Sequence, residues 1–590
     1  MHMVKARLFC EARSDGLRSR RIGARQEDNM TTGTNGPDIL GNDPDVQFET
    51  VLGLDGDDRI TIVTPTTLGS PAPGVTVAGG NGFDTLIVNA SGQFDNIAGN
   101  QIMIRFGETQ SYTVNFETIE RLELTGTLFG NLFGLGDEID VLRFTSSTAR
   151  AVIVTNGGND DVALTGTFIS VNPILGEGND IADLRGVTGV LESIGAQGGG
   201  GNDILYSSAL SIPDSLFGEE GNDALIFGAS LTGEDLANGG AGIDTLVIQG
   251  NYPSLSLDAG MIDVEVLLVA SGNDPRFGQT VGNSYDYTIT ASNLVTASGG
   301  MLTVSATFLK QDEDLVFFAN AVTDFSIRIF TGRGTDALTG GAGQDGFLFG
   351  AEGNLTAADR IDGLGGTDSL ALRGFYDGPD AIVFDDESFV NVEVMVLLSG
   401  LTTELGGLIV PGGFDYDLTL ADGNVAAGQR LDIVGTNLSG TERMTIDASD
   451  ETNGSVRILA GASNDILTGS ANADSIYGGI GADVLTGGGG ADLYLYRAVA
   501  ESTAASRDTV TFGAGDRIDL SVIDGDGAGP ANAFAFIGSS AFSNVAGQLR
   551  AFSSGVDQFT VEGDTDGDGT ADLVITVNSA VPLVAADFVL

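Results

Sequence analysis

The sequence predicts an all-β fold: a right-handed parallel β-roll or β-helix solenoid with inserted β modules and a β-rich C-terminal cap. Three observations carry that expectation. From Ala460 to Leu495 the chain reads in nines, AGASNDILT, GSANADSIY, GGIGADVLT, GGGGADLYL, with Asp465, Asp474, Asp483 and Asp492 nine residues apart. Glycine supplies 88 of 590 residues while Pro is only 13, so turns are abundant without collagen-like or Pro-rich character. The acids are 58 Asp against 23 Glu and the only lysines are Lys5 and Lys310. Turn acids therefore dominate over helix acids, and long surface helices are not expected.

Each nonapeptide supplies about six turn residues, where glycine allows positive φ, and about three extended residues that pair as a strand. Two nonapeptides make a coil of about eighteen residues. Strand alternation is expected to turn Ile466, Ile476 and Val484 inward. A buried carboxylate is costly, so the aspartates are expected at the rim. Asp465 stacks with Asp483 on one edge and Asp474 with Asp492 on the other, beside the turn glycines Gly478, Gly481, Gly487 and Gly490. Such an edge, rich in carboxylates and carbonyls, suits calcium, a hard cation that takes six to eight oxygens.

This stretch resembles the RTX repeats of secreted bacterial proteins, which implies several bound calcium ions. From Met30 the motif recurs around Asp38 (GTNGPDILG), Asp58 (GLDGDDRIT) and Asp84 (GGNGFDTLI). It resumes at Asp160 and continues through Asp180, Asp203, Asp223 and Asp244 at intervals of 20, 23, 20 and 21. One edge is expected to keep its calcium ladder there while the other has lost the motif and taken insertions. Asp336 and Asp345 form a further pair nine apart, and Asp368 opens the next turn.

A whole module is duplicated. GGAGIDTLVIQG at Gly239 is matched by GLGGTDSLALRG at Gly363, VEVLLVASG at Val264 by VEVMVLLSG at Val392, YDYTIT at Tyr285 by FDYDLT at Phe414, and Asp336 by Asp465. The offsets are 124, 128, 129 and 129. Residues 84–160 read as a shorter, degraded third copy. The modules are either wider coils of the same helix or small sandwiches beside it. The expected organisation is an over-extended start or disordered basic arm at 1–29, N-terminal repeats at 30–100, a degenerate β module at 101–155, and a repeat-built β-helix at 156–246. Module copies at 247–330 and 371–455 flank repeats at 331–370; a β-roll at 456–496 and a C-terminal domain at 497–590 complete the chain.

That last region, with DTVTFGAGDRIDLSVID (Asp508–Asp524), AFAFIGSSAF (Ala533–Phe542), GQLRAF (Gly547–Phe552) and GDTDGDGTADLVITV (Gly563–Val577), resembles the C-terminal domain of serralysin-type metalloproteases. The resemblance implies a β-rich cap, which a solenoid needs at its open end. It also implies export by a type I secretion machine that reads an uncleaved C-terminal signal. The ending Asp587-Phe588-Val589-Leu590 looks like such a signal, or like an ordinary last strand. Asp564, Asp566, Asp568 and Asp572 follow the spacing of the start of an EF-hand calcium loop. The twelfth position is Ile575 and ADLVITV reads as a strand, so helix flanks are not expected.

The remaining composition excludes more than it selects. A net charge of −55 argues against phosphate-driven nucleic-acid binding and favours cations as partners. The only His (His2) and the only Cys (Cys10) lie in residues 1–29, which leaves no thiol, imidazole or ordinary zinc chemistry to the body. No apolar run is long enough for a membrane-spanning helix. Serralysins carry HExxH ahead of their repeats, and this chain has no such motif. No Arg or Lys beside a carboxylate cluster outside the repeats stands out. The expectation is a secreted, non-catalytic, calcium-binding protein of a cell surface, matrix or adhesive layer. An extracellular polysaccharide lyase or hydrolase with repeats is the alternative.

Overall fold

The structure is a computed structural model. It describes residues 30–590 except 33–37, 42–47, 54–55, 64–73, 80, 82, 99–100, 107–109, 118, 120, 129–132, 135–140, 147–149, 156, 259, 278–282, 294, 296–299, 351–354, 404–407, 528 and 530–531. Residues 1–29, read above as an over-extended start or basic arm, lie outside the described residues. No α-helix occurs among the described residues, only strands, turns and short 3-10 segments. The chain divides into two compact units, one ending at Leu246 and the other comprising Val247–Leu590. Each is a parallel β-solenoid.

In the first unit one ladder stacks Ile39–Gly41, Arg59–Val63, Thr85–Ala98, Arg121–Leu128, Val141–Ser146, Asp161–Glu177, Ile181–Gly200, Ile204–Tyr206 and Ala224–Phe227, each parallel to the next. In-register pairing sends one residue per coil to the same spot, so Ile60, Leu86, Leu122, Leu142, Val162, Ala182, Leu205 and Leu225 form a buried column. Each side chain of this size contributes about 1.5–3 kcal/mol when fully buried, less for Ala. The column replaces a globular core.

Residues 84–160, read above as a shorter, degraded third copy of the module, differ from the two copies in one respect. There Thr85–Ala98, Gln101–Phe106 and Gln110–Glu117 form an antiparallel meander, a pairing that neither copy contains among its described residues. Connections of only a few residues between these strands permit hairpins, whereas parallel pairs need the chain to travel round a coil.

The second unit settles what the modules are. They are wider coils. In the first copy Val266–Val269 pairs parallel with Met301–Ser305 and that with Ser326–Phe330, while Tyr252–Leu257, Tyr287–Ala291, Leu315–Phe318 and Ala337–Thr339 stack in a second ladder. The second copy repeats this with Val394–Leu397, Arg430–Val434 and Ser455–Leu459 on one side and Tyr416–Thr419, Met444–Asp447 and Ile466–Thr468 on the other. The duplication extends to buried polar contacts. Glu313 Oε1 accepts the amides of Gly272 and Tyr285, and Glu442 Oε1, 129 residues on, accepts those of Gly400 and Phe414.

The repeats continue both ladders. Leu418, Ile446, Leu467, Leu485, Val510 and Val577 make one inward column and Ile433, Ile458, Ile476, Tyr494, Ile518 and Phe588 the other. Ile476 points inward as expected, but Ile466 and Val484 do not: they are 43% and 44% exposed, against 0% for Leu467 and Leu485. The cause is the aspartate. Asp465 and Asp483 are themselves buried, so alternation turns the next residue outward and the one after it inward.

The C-terminal strands close the stack. Gln548–Gly555, Gln558–Asp564 and Leu573–Asn578 form an antiparallel meander whose last strand pairs parallel with Asp508–Thr511. Phe588–Val589 pairs with Arg517–Asp519, and the Phe588 ring lies 5.1 Å from that of Phe536. The ending is thus a paired last strand.

Several arginines pair with carboxylates along the ladders. Arg59 and Arg121 both reach Glu123, Arg143 pairs with Asp161, and Arg430 and Arg457 both reach Asp432. Arg143 and Asp161, like Arg457 and Asp432, are far apart in sequence and meet across neighbouring strands, whereas Arg121 and Glu123, and Arg430 and Asp432, stand two residues apart on one strand. Exposed cross-strand pairs of this kind contribute about 0.2–1 kcal/mol each.

Candidate metal centre

The strand-start aspartates form columns joined by hydrogen bonds between coils. The amide of Asp465 donates to Asp483 Oδ1 at 2.8 Å, and that of Asp474 to Asp492 Oδ1 at 2.9 Å. Asp465 and Asp483 therefore share one edge and Asp474 and Asp492 the other, as the spacing implies. In the first unit the amides of Asp160, Asp180, Asp203 and Asp223 donate to Oδ1 of Asp180, Asp203, Asp223 and Asp244 in turn, at 2.7–2.8 Å. Asp38 donates to Asp58 and Asp58 to Asp84 in the same way. Asp345 donates to Asp368 at 2.8 Å.

The aspartates were expected at the rim, yet all but the half-buried Asp38 are buried. One oxygen of each repays part of the desolvation by accepting an amide that would otherwise be unpaired. The second oxygen is the telling one. Oδ2 of Asp180, Asp203, Asp223, Asp336, Asp368, Asp465, Asp483 and Asp492 is buried and has no hydrogen-bond partner. Burial pushes these carboxyls up, to about 7 for Asp203, Asp336, Asp368 and Asp492, about 6 for Asp465 and about 8 for Asp483. Neighbouring carboxylates add to the effect, Asp508 and Asp465 acting on Asp483. An ionised oxygen in such a place demands a cation.

Glycine is required beside these oxygens. A Cβ on Gly478 would lie 2.4 Å from Asp483 Oδ2, and one on Gly487 would lie 1.9 Å from Asp492 Oδ2. Gly198 and Gly218 meet Asp203 and Asp223 in the same manner, five residues ahead. Gly481 and Gly490 press instead on the backbone of the preceding coil, at Ser463 and Asn472.

A family model described as the RTX calcium-binding nonapeptide repeat matches four copies, within residues 196–209, 328–354 and 459–494. The repeats are RTX calcium-binding repeats. A search of the curated proteins finds no match. The RTX repeats give the chain multiple calcium ions, and the donor set fits them: hard oxygens, buried, with one lone-pair-bearing atom per coil left over. The residues that would hold the ions are the eight aspartates with an unpaired Oδ2, together with the turn carbonyls around them. Calcium supplies positive charge and links between adjacent coils when bound.

Not every expected RTX residue stands in that state. Both oxygens of Asp345 and Asp474 accept backbone amides, Oδ2 from Gly341 and Ser470. Other column members escaped the sequence reading. Asp336 donates to Asp359, Asp368 to Glu393 and Asp492 to Asp516, while Asp214 donates to Asp235 on the edge of the first unit thought to be vacant. Asp359 and Asp235 lack the GGxG lead, so only an Asp before alternating apolar residues could have signalled them, whereas Asp516 keeps a shortened GAG lead at Gly513–Gly515.

The EF-hand-like loop is narrower than its sequence. One oxygen each from Asp564, Asp566 and Asp572 lies within 4.8 Å of the others. Asp568 is outside this group, its Oδ1 accepting the Thr570 amide at 2.6 Å. The loop joins two strands of the antiparallel meander, and a β-hairpin holds its ends closer than two helices would.

Proposed function

We propose that this chain is a secreted, non-catalytic RTX protein that folds on calcium after type I export and serves in a cell-surface, matrix or adhesive layer. The observation that carries the reading is the set of buried, unpaired Oδ2 atoms stacked along the coils. With a net charge of −55 and glycine-rich turns that are costly to order, the metal-free chain resists collapse and stays threadable. Outside the cell each ion neutralises charge and links neighbouring coils, so binding free energy becomes folding free energy. The cap supports this role by covering the last coil. The test is location: in native cells grown in millimolar calcium, antibody should find the chain on the envelope or in the medium. A pool confined to the cytosol contradicts the proposal.

An extracellular polysaccharide-acting enzyme is the second reading. The observation on its side is a groove of about 230 Å³ bordered by Thr339, Arg360, Asp362, Glu387 and Val390. Against it, Arg360 is spent on Asp385 and on the Ala357 and Asp359 carbonyls. Reducing-end release from polysaccharides that is abolished by Glu387→Gln would favour the enzyme.

A further inference from the structure

The two copies of the module share a scaffold and differ at a buried position. Gln249, near the end of GGAGIDTLVIQG, is buried, and its Nε2 donates to the carbonyls of Ser271 at 2.9 Å and Asp274 at 2.7 Å. Arg373 stands at the same place in GLGGTDSLALRG, 124 residues on. It is 3% exposed, and its Nη2 donates to the carbonyls of Thr402 at 3.1 Å and Leu408 at 2.7 Å. Each side chain therefore pins the loop that follows the next strand of its own copy, Val266–Val269 in one and Val394–Leu397 in the other. The first copy shows that a neutral amide is enough for that task.

The positive charge of Arg373 is thus surplus to the clamp. Among the described residues its hydrogen-bond acceptors are neutral carbonyls, its Nε is buried without a partner, and its guanidinium lies over the Phe414 ring, 5.3 Å from the centroid. Glu404, on the same loop, lies outside the described residues. Glu442, a buried carboxylate of this module, gives its oxygens to Ser399, Gly400, Phe414 and Ser439. Glu313 holds the equivalent amides in the first copy, where the arginine is a glutamine, so Glu442 is accounted for without Arg373. A guanidinium keeps its charge when buried, and carbonyls and a ring face offset only part of its desolvation. Such a group calls for an anion.

Its surroundings narrow the kind of anion. Leu408, whose carbonyl Arg373 holds, is 83% exposed and Ile409 60%, and the exposed Phe375 stands edge-on to Phe414 with ring centroids 4.9 Å apart. In the first copy the pinned residues are Ser271 and Asp274, and the Asp274 carboxylate is bonded to Arg276. The change from amide to cation therefore coincides with a change from a polar rim to an apolar one. An inorganic anion gains nothing from Leu408 and Ile409, and an uncharged apolar ligand gains nothing from the guanidinium. A ligand that carries both features gains from each.

We propose that Arg373 and the exposed Leu408–Ile409 segment bind an amphiphile with one anionic head group and an apolar tail, of the class of a fatty-acid anion. The head group meets the guanidinium and the tail covers Leu408, Ile409 and Phe375. This goes beyond the calcium reading, since the site needs the folded module and no metal ion of its own.

The test is isothermal titration calorimetry of octanoate, below its micelle-forming concentration, into the full chain in millimolar calcium. One saturable site is expected. Octanol, with the tail but no charge, and acetate, with the charge but no tail, should each bind about tenfold or more weaker. Arg373→Gln installs the side chain that pins the loop in the first copy, so the β spectrum in calcium should stay while octanoate affinity falls by about tenfold or more. No octanoate binding, equal binding of octanoate and octanol, or an unchanged affinity in R373Q overturns the proposal. Acetate or inorganic phosphate binding as tightly as octanoate would show a bare anion site and overturn it equally. The comparison of octanoate, octanol and acetate uses the wild-type chain and so stands even where R373Q fails to fold.

Discussion

Asp483 receives the amide of Asp465, 18 residues earlier, on Oδ1 and leaves Oδ2 buried and unpaired. That division of labour explains how one residue type both fixes the register of a coil and creates demand for a cation. Asp483→Asn separates the two roles, because the amide oxygen still accepts while the charge is gone. The calcium midpoint of folding, followed by far-UV circular dichroism, should rise several-fold. In chelator the variant should hold more structure than wild type.

Acid should imitate calcium in part. The raised carboxyls of Asp203, Asp336, Asp465, Asp483 and Asp492, at about 6–8 in the folded chain against an ordinary 3.8, bind protons more tightly folded than unfolded. Their contribution to the metal-free fold is full below the ordinary value and is lost as pH rises through about 6 to 8. In chelator, β signal should therefore be greater at pH 5 than at pH 8. The calcium midpoint should move the other way, rising as pH falls, because protons compete for the same oxygens.

The glycine ahead of each aspartate is a packing requirement. Gly478→Ala places a methyl 2.4 Å from Asp483 Oδ2, and overpacking of this sort costs about 1–3 kcal/mol. Urea unfolding in millimolar calcium should show that loss, while Ile480→Ala at an exposed turn position should stay within about 0.5 kcal/mol.

The inward face can be tested within one strand. Leu485→Ala should cost about 2–5 kcal/mol, since it empties a site buried between Leu467 and Val510. Val484→Ala, on the outer face, should change stability by no more than about 0.5 kcal/mol. Equal losses would restore the orientation that the sequence suggests.

The copied modules carry acids that need no metal. Burial raises Glu442, but hydrogen bonds from Ser399, Ser439, Phe414 and Gly400 outweigh it, and the group sits below its ordinary value. Glu442→Gln should destabilise by about 1–3 kcal/mol in saturating calcium without moving the number of ions bound.

Coil length, edge sharing and duplication were all legible in the sequence, because the 9-residue register and the 129-residue offset are properties of spacing alone. The direction of Asp465 was not. Treated as an isolated charge it belonged at the rim, and only the coil above reveals the amide it accepts. That single misdirection also reversed Ile466 and Val484, since alternation counts from the aspartate. Asp508 and Asp516 were hidden for a related reason: each completes a column begun by residues in another coil, and neither follows its predecessor at the nine-residue spacing. Glu313 and Glu442 gather amides from three separate loops, which no local pattern encodes.

The most direct measurement is far-UV circular dichroism of the full chain, first in chelator at pH 8 and then through a calcium titration to millimolar. A weak, coil-like spectrum converting cooperatively to a β spectrum is the expected result. A chain already showing its full β signal in chelator, and unmoved by calcium, would mean that the buried carboxylates are satisfied without the ion.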